Sequence, residues 1–400
     1  MADTSIASAA VTSRAAYNHF QPSDLPQSWF YDEWDVRRGE CPVSHSTEHG
    51  GFYLLTRYED CFNTLADTET FTSSQSVAIP PQPFKFVPED IDPPEHRKYR
   101  KLINAALAPQ KMADYESSVR ADVIAILDGL AGRSEIDVVR DFAGPFPRAV
   151  ALRLIGLPTE DLGRISEWTE ILTYTPRESE QAQQAGIDLF TYLGGLVVAR
   201  KAQPPTDDLL SLIVHGDLDG TEIGVEDAMS YLALLLFGGL HTTTHAIAGW
   251  LLYLSSHPES RAQLEADPSI WNRAIDEALR WTSPSSHLGR VATKDTVISG
   301  CPIPAGSRVM VSIGAANQDG TQFSNPREMT LDRTPNAHAA FGFGPHRCVG
   351  SHLAKLQMRV ALEEWLARYS NFALSDPGAI RYQGAEVRGL VTLPFTVTAR

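Results

Sequence analysis

Near its C-terminal end the chain reads Phe341-Gly342-Phe343-Gly344-Pro345-His346-Arg347-Cys348-Val349-Gly350, which puts one cysteine on a glycine-rich loop just ahead of an amphipathic helix expected from about Val349. A thiol there sits among the unpaired N–H groups of a helix N-terminus, which favour the thiolate. No second cysteine lies nearby to make a disulfide or a zinc knuckle with it. The chemistry this arrangement suits is axial thiolate ligation of haem iron, where sulfur pushes electron density onto the metal and favours O–O cleavage. Phe341 is then expected to pack over the sulfur and exclude water. Gly344 is expected to let the loop pass close under the porphyrin without a Cβ clash. Any one thiol taken alone is more often a buried structural cysteine; the spacing is what sets Cys348 apart.

The run Phe341-x-x-Gly344-x-x-x-Cys348-x-Gly350, with His346 two residues before the cysteine, resembles the haem-binding signature of the cytochrome P450 family. Other motifs fall in the same order. Glu277 and Arg280 share a helix face at i and i+3, ordinarily a solvated pair of little worth. The resemblance implies instead a buried structural network with Arg333 that shapes the haem-binding core. Haem b carries two propionates, which call for cationic donors. His96 and Arg100, at i and i+4, match the family's His-x-x-x-Arg that grips propionate, and Arg290 and His346 match its other two propionate contacts.

Phe237-Gly238-Gly239-Leu240-His241-Thr242-Thr243 interrupts an apolar helix with two glycines, at a cost of about 1 kcal/mol each. Close helix packing is the plain explanation. The segment is similar to the family's oxygen-activation motif, Ala/Gly-Gly-x-Asp/Glu-Thr, which implies a local opening of the helix. Gly238 and Gly239 match the small pair over the porphyrin, and Thr242 the threonine that hydrogen-bonds the oxygen under activation. His241 departs from the pattern, which has an acid there. Imidazole titrates near neutrality and can relay protons, so His241 is expected to serve catalysis beside Thr242 with a pH-sensitive relay; a merely packed histidine is the alternative.

The elements that must position these residues are mostly helical. Gly51 to Thr56 reads as a strand, Tyr58 to Ala66 as a helix and the Pro-rich stretch Ser73 to Asp92 as an irregular loop. Helical periodicity runs from Pro94 to about Trp281, with breaks near Gly132, Gly156-Leu157-Pro158, Pro204-Pro205 and His257-Pro258. Val297 to Ala315 reads as a β-hairpin turning around Pro302 to Gly306. Val349 to Tyr369 reads as a helix, and the tail from Phe372 as strands. Tyr231 to Leu254 is long enough to span a membrane, but polar His241 to His245 at its middle favour a buried core helix, and no membrane association is expected. The expected fold is mainly α with a minor β lobe. The resemblance implies a triangular helical prism with haem between the long central helix and the cysteine-loop helix. Residues 15–400 are expected to form one haem domain, after a disordered Met1 to Arg14.

The chain has 400 residues, 43% hydrophobic and 21% charged, with a net charge of −15, which makes nucleic acid an improbable partner. Cys41, Cys61, Cys301 and Cys348 are far apart and follow no secretory signal, so the chain reads as a cytoplasmic protein with thiols. Against the acidic background, His96, Arg97, Lys98, Arg100, Lys101, Lys111, Arg347, Lys355 and Arg359 fall on segments expected around the cysteine side. Such a face would steer an acidic electron carrier. The resemblance implies a [2Fe–2S] ferredoxin or flavodoxin-type donor fed by an NAD(P)H reductase, since no dinucleotide fingerprint or cysteine cluster is present here. Candidate distal residues (the Ser73–Asp92 loop, Leu235, Thr242, Ser285 to Leu288 and Leu390-Val391) suit a small to medium hydrophobic substrate. The expected function is O2-dependent monooxygenation, by hydroxylation or dealkylation. Rival readings are a peroxide-driven haem-thiolate peroxygenase and a non-catalytic haem ligand-binding protein.

Overall fold

The computed structural model of the chain describes residues 17–19 and 27–400; Met1 to Arg14 lies outside the described residues. The helices are α1 (Gln27–Glu40), α2 (Tyr58–Ala66), α3 (His96–Asn104), α4 (Met112–Gly129), α5 (Pro145–Ile155), α6 (Leu162–Tyr174), α7 (Glu180–Lys201), α8 (Leu209–Val214), α9 (Val225–Ser256), α10 (Pro258–Ala266), α11 (Trp271–Thr282), α12 (Ile313–Asn317) and α13 (Ser351–Arg368). The first five-stranded sheet runs β1 (Val43–Ser46), β2 (Phe52–Leu55), β8 (Arg308–Ser312), β5 (His287–Ala292), β3 (Phe71–Thr72). Its β2–β8 pair is parallel and its other pairs antiparallel. A three-stranded sheet joins β4 (Glu135–Asp137), β12 (Pro394–Ala399) and β9 (Tyr369–Leu374). Two small hairpins complete the lobe: β6 (Thr296–Ile298) with β7 (Cys301–Ile303), and β10 (Arg381–Gln383) with β11 (Gly389–Thr392).

α9 organises the helical part. Glu226 and Asp227 in its first turn complement the helix dipole, and Pro258 stops it just past His257. A helix apolar on most of its circumference must be buried on all sides. Its first half, with Tyr231, Leu232, Leu236 and Leu240, packs into a cluster with Ile103, Leu152, Leu189 and Leu193. Its second half, with Ile247, Trp250, Leu251 and Leu254, packs into another with Phe142, Ile275, Met358 and Trp365. The Gly238–Thr243 stretch lies between the two.

Two boundaries differ from the sequence expectation. The cysteine-loop helix begins at Ser351, not Val349, because Gly350 takes the N-cap position. The β-hairpin turns at Ser299-Gly300, not around Pro302 to Gly306. Both turn residues have positive φ, 47° and 80°, which suits the tight two-residue turn of a right-twisted hairpin. The Pro304–Gly306 bend then delivers the chain to β8 in a different sheet.

Candidate active site

Where the two core clusters meet lies a cavity of about 360 Å³. α9 contributes Gly238, Gly239, Thr242, Thr243 and Ala246, one face at helical spacing. The cysteine loop and the start of α13 contribute Phe341, Gly342, Cys348, Val349, Gly350 and Leu353. Further wall comes from Ile103 of α3, Ala151, Leu154 and Ile155 of α5, Leu235 of α9, the Val77–Glu89 loop, Leu172-Thr173, Pro284-Ser285, His287-Leu288 and Glu386-Val387.

The cysteine loop is a folded ribbon. Cys348 N–H donates to Phe341 O at 2.9 Å and Arg347 N–H to Gly344 O at 3.1 Å. Gly344 has φ +69°, and a Cβ there would lie 2.8 Å from Leu65 O and 3.1 Å from Ala66 Cα. Its glycine is thus required where the loop crosses the end of α2, a constraint the sequence did not show. Cys348 is exposed, and it lies on the cavity wall. Burial raises the thiol pKa, and the Gly350 N–H and the Arg100 guanidinium pull against it. The expected donors near the helix start are present, but desolvation outweighs them in the net shift. Phe341 borders the cavity between Arg347 and Lys355, each about 5.9 Å from its ring centroid.

Four donors gather at one edge. His96, Arg100 and His346 line the cavity, and the His96 and His346 rings lie 4.2 Å apart. Arg100 donates to Arg347 O at 3.0 Å. Arg290, 2% exposed, donates to Gly289 O at 2.7 Å, and its Nε has no partner; neither does His96 Nδ1. Burial and mutual repulsion with the neighbouring cations hold His96 down to about 4 and His346 to about 3. Glu89, Asp90 and Asp92 lie near Arg290, yet its Nε and His96 Nδ1 stay unpaired, which leaves a place for a further anion. Two carboxylates on the rim of an apolar ring meet that need. With a lone thiol on the cavity wall and open space in front of Gly238, the residues fit haem.

The oxygen-activation segment divides between two faces of α9. Thr242 Oγ1 donates to Gly238 O at 2.7 Å on the cavity face. α9 is continuous here, and the expected opening is space outside the helix, not a break within it. His241 is absent from the cavity wall. Its ring is 3% exposed and meets Tyr174 edge-on, with centroids 5.5 Å apart. His245, one turn on, shares a 2.7 Å hydrogen bond with Tyr174 Oη and packs flat on β11, where a Gly389 Cβ would come within 2.1 Å of the imidazole. Burial, with Arg148 and the neighbouring histidine, drives His241 to about 3; burial, with Arg148 and Arg388, drives His245 to about 3. His241 therefore stays neutral across the physiological range, and the neutral-pH sensitivity expected of it does not arise from its titration.

A stability prediction follows. Both histidines have folded pKa values below the unfolded 6.5, so the unfolded chain binds more protons between pH 6.5 and 3. Their favourable contribution is complete above pH 6.5 and is lost as pH falls, by at most about 1.4 kcal/mol per pH unit for each. In urea titrations from pH 7 to 4, His245→Asn is expected to flatten that slope. An unchanged slope would show that these imidazoles do not govern the acid limb.

The Glu277–Arg280–Arg333 network closes as the resemblance implied. Glu277 and Arg280 are both 0% exposed. Arg280 donates to both Glu277 oxygens at 2.8 Å, and Arg333 Nε lies 2.9 and 3.0 Å from the same pair. The remaining Arg280 donors reach Asn317 O, Pro326 O and Glu328 O, each at 2.8 Å. The irregular segment from Asn317 to Arg333 is thereby tied to α11.

The basic residues of the expected carrier face are mostly paired. Lys98 meets Glu95 at 2.7 Å, Lys101 meets Asp219 at 2.9 Å and Lys111 meets Asp114 at 3.2 Å. Lys355 meets Asp276, and Arg359 meets Glu116 at 2.6 Å. Several wall residues went unnoticed in the sequence. Glu89 lines the cavity with its carboxyl pushed up to about 7, first by burial and then by Asp90. Glu386 and Val387 take the place expected of Leu390-Val391, because Leu390 is 1% exposed and packs into the core.

Comparisons with known proteins agree with this geometry. The cytochrome P450 family model matches residues 269–387. A steroid C26-monooxygenase of Mycolicibacterium smegmatis is 31% identical over 387 residues, covering 94% of this chain and 96% of that protein. The polyketide biosynthesis cytochrome P450 PksS of Bacillus subtilis is 31% identical over 361 residues, covering 86% and 89%. Among solved structures, a mutant of P450 EryK in complex with erythromycin B superposes with TM-score 0.86 at 29% identity, covering 94% of this chain and 98% of that one. CYP108D1 from Novosphingobium aromaticivorans gives TM-score 0.85 at 28% identity, covering 93% and 95%.

Proposed function

Since the chain belongs to the cytochrome P450 family and is a haem monooxygenase, we propose that Cys348 is the axial thiolate of its haem and that its substrate is a medium-sized, largely apolar molecule held against the Thr242 face of α9. The observation that carries this reading is one cavity holding a lone thiol, a threonine hydroxyl and an edge of unmatched donors. Bound haem supplies the activation of O2 by which one oxygen atom enters the substrate and the other leaves as water. The chain's own residues do the rest. Gly350 N–H and Arg100 stabilise the Cys348 sulfur as an anion. His96, Arg100, Arg290 and His346 would hold the two propionates. Gly238 and Gly239 leave room beside α9, and Thr242 holds a hydroxyl proton at Oγ1 on the cavity wall, available once its bond to Gly238 O is released.

The wall is built chiefly from Leu, Val, Ile, Ala and Phe, with Gln82, Glu89, Thr173, His287 and Glu386 as scattered polar points. That mix suits an apolar skeleton carrying few polar groups, in keeping with relatives named for steroid and polyketide chemistry. His241 gave the reason to consider a peroxide-driven enzyme, and its position behind α9 removes that reason. Residues 15–400 act as one haem domain, in the cytoplasm, with all four cysteines free thiols.

Electrons come from an acidic ferredoxin-type carrier. Among the described residues, Arg97 and Arg347 have no ion-pair partner, so they present the least compensated charge on the expected docking face. Arg97→Glu is expected to slow ferredoxin-driven reduction at low salt more than Lys101→Glu, whose charge Asp219 already offsets. The functional test is a panel of steroids, macrolides and other hydrophobic compounds added to purified protein. Binders should convert the haem from low to high spin and then turn over with O2, NADH and a ferredoxin pair. Product formed with peroxide alone, and none with ferredoxin, would overturn the reading.

A further inference from the structure

Beside the substrate cavity, and apart from the haem residues, two histidines and a carboxylate converge. One ring nitrogen each from His19 and His287 and one oxygen of Glu386 all lie within 4.8 Å of one another. The two imidazoles are 3% and 2% exposed, with ring centroids 4.4 Å apart. Three distant parts of the chain meet here; His287 and Glu386 also line the substrate cavity, and none of the three takes part in holding haem. We propose that His19, His287 and Glu386 bind a divalent transition-metal ion, zinc foremost.

The hydrogen bonds set the tautomer of His287. Ser286 Oγ donates its proton to Ala385 O at 2.6 Å. It is left as an acceptor for His287 Nδ1, which lies 2.7 Å away and must carry the proton. Nε2 then holds a bare lone pair, and it is buried with no partner. An imidazole whose Nδ1–H is anchored and whose Nε2 is unprotonated and unsatisfied has the form of a metal ligand with its supporting hydrogen bond. His19 brings one ring nitrogen into the trio. Arg177 pairs with Glu386 Oε1, which leaves Oε2 for an ion.

The donor set selects the metal. Two imidazoles and one carboxylate suit zinc, nickel or copper, whereas magnesium and calcium need more oxygen ligands. Arg177 also opposes any cation held by charge alone, which further disfavours the alkaline-earth ions. A bound ion would staple the His19 segment to β5 and to the Glu386 turn, two parts of the substrate wall.

The test uses full-length holoprotein, dialysed against chelator and titrated with zinc chloride in competition with a chromogenic zinc indicator. Wild type should take up a single tight equivalent, resistant to a large excess of magnesium. His19→Ala and His287→Ala should each weaken it by at least about tenfold, and Ser286→Ala by about tenfold through loss of the Nδ1 partner. Zinc-edge X-ray absorption should report two imidazole nitrogens and oxygen. The spectrum of the reduced CO complex checks that each variant is folded, and His19→Ala carries the test if His287→Ala fails to fold. No tight equivalent in wild type, or the same equivalent retained in His19→Ala, overturns the proposal. Zinc uptake is independent of the haem ligand, so this outcome is read separately from the monooxygenase reading.

Discussion

Cys348→His is expected to abolish the red-shifted Soret band of the reduced CO complex, and monooxygenase turnover with it. Imidazole can hold haem iron, so loss of haem colour is not required, but it cannot push electron density as a thiolate does. The other cysteines serve as controls. Cys61 is fully buried beneath the first sheet, its thiol kept protonated chiefly by burial, and neither Cys41 nor Cys301 lines the cavity. Replacing any of these three should leave the band in place. A red-shifted band that survived in Cys348→His would end the assignment.

Glu277→Gln is expected to be nearly as damaging, by a different route. The carboxylate neutralises two guanidinium groups, and Arg280 has no exposure to water. Removing one member of a buried ion pair leaves an uncompensated charge in the interior and costs about 3–5 kcal/mol. Domain stabilities total only about 5–15 kcal/mol, so holoprotein should be scarce and its urea midpoint strongly lowered. Triple substitution with apolar residues of matching volume at 277, 280 and 333 should recover part of the loss, because no bare charge then remains in the network. Stability within about 1 kcal/mol of wild type in Glu277→Gln would mean that the network is ornamental.

Much of this site was legible from types and spacing, and the misses have physical causes. α2 was read with its observed bounds, because an amphipathic stretch there follows a strand directly. The motif cysteine and threonine came out on one cavity with His96, Arg100 and His346, while Arg290 is not in its wall. His241 was misjudged although the chain carried the signal. Gly238, Thr242 and Ala246 recur every four residues on the cavity face; His241, His245 and Gly249 recur on another, about 100° away around the helix. Adjacency in a motif is not adjacency in space. The role of Gly344 and the pairing of the basic face were out of reach, since they depend on Leu65, Asp219, Asp276 and Glu116 arriving from remote segments. Ser299-Gly300 was a readable turn that the prolines nearby obscured.

The parts of the cavity wall differ in how they are held. Those that face oxygen chemistry belong to α9, α13 and a loop laced by backbone hydrogen bonds, all continuous with the packed interior. Other parts of the wall are connecting segments: the Val77–Glu89 loop, Pro284-Ser285 and the Glu386-Val387 turn. Connecting segments accept substitution more readily than the elements they join. A lineage carrying this architecture can therefore drift toward new compounds by changing a handful of side chains, while the reaction it performs on them stays constant. Diversity of appetite with fidelity of chemistry is what such a division of labour lets selection explore.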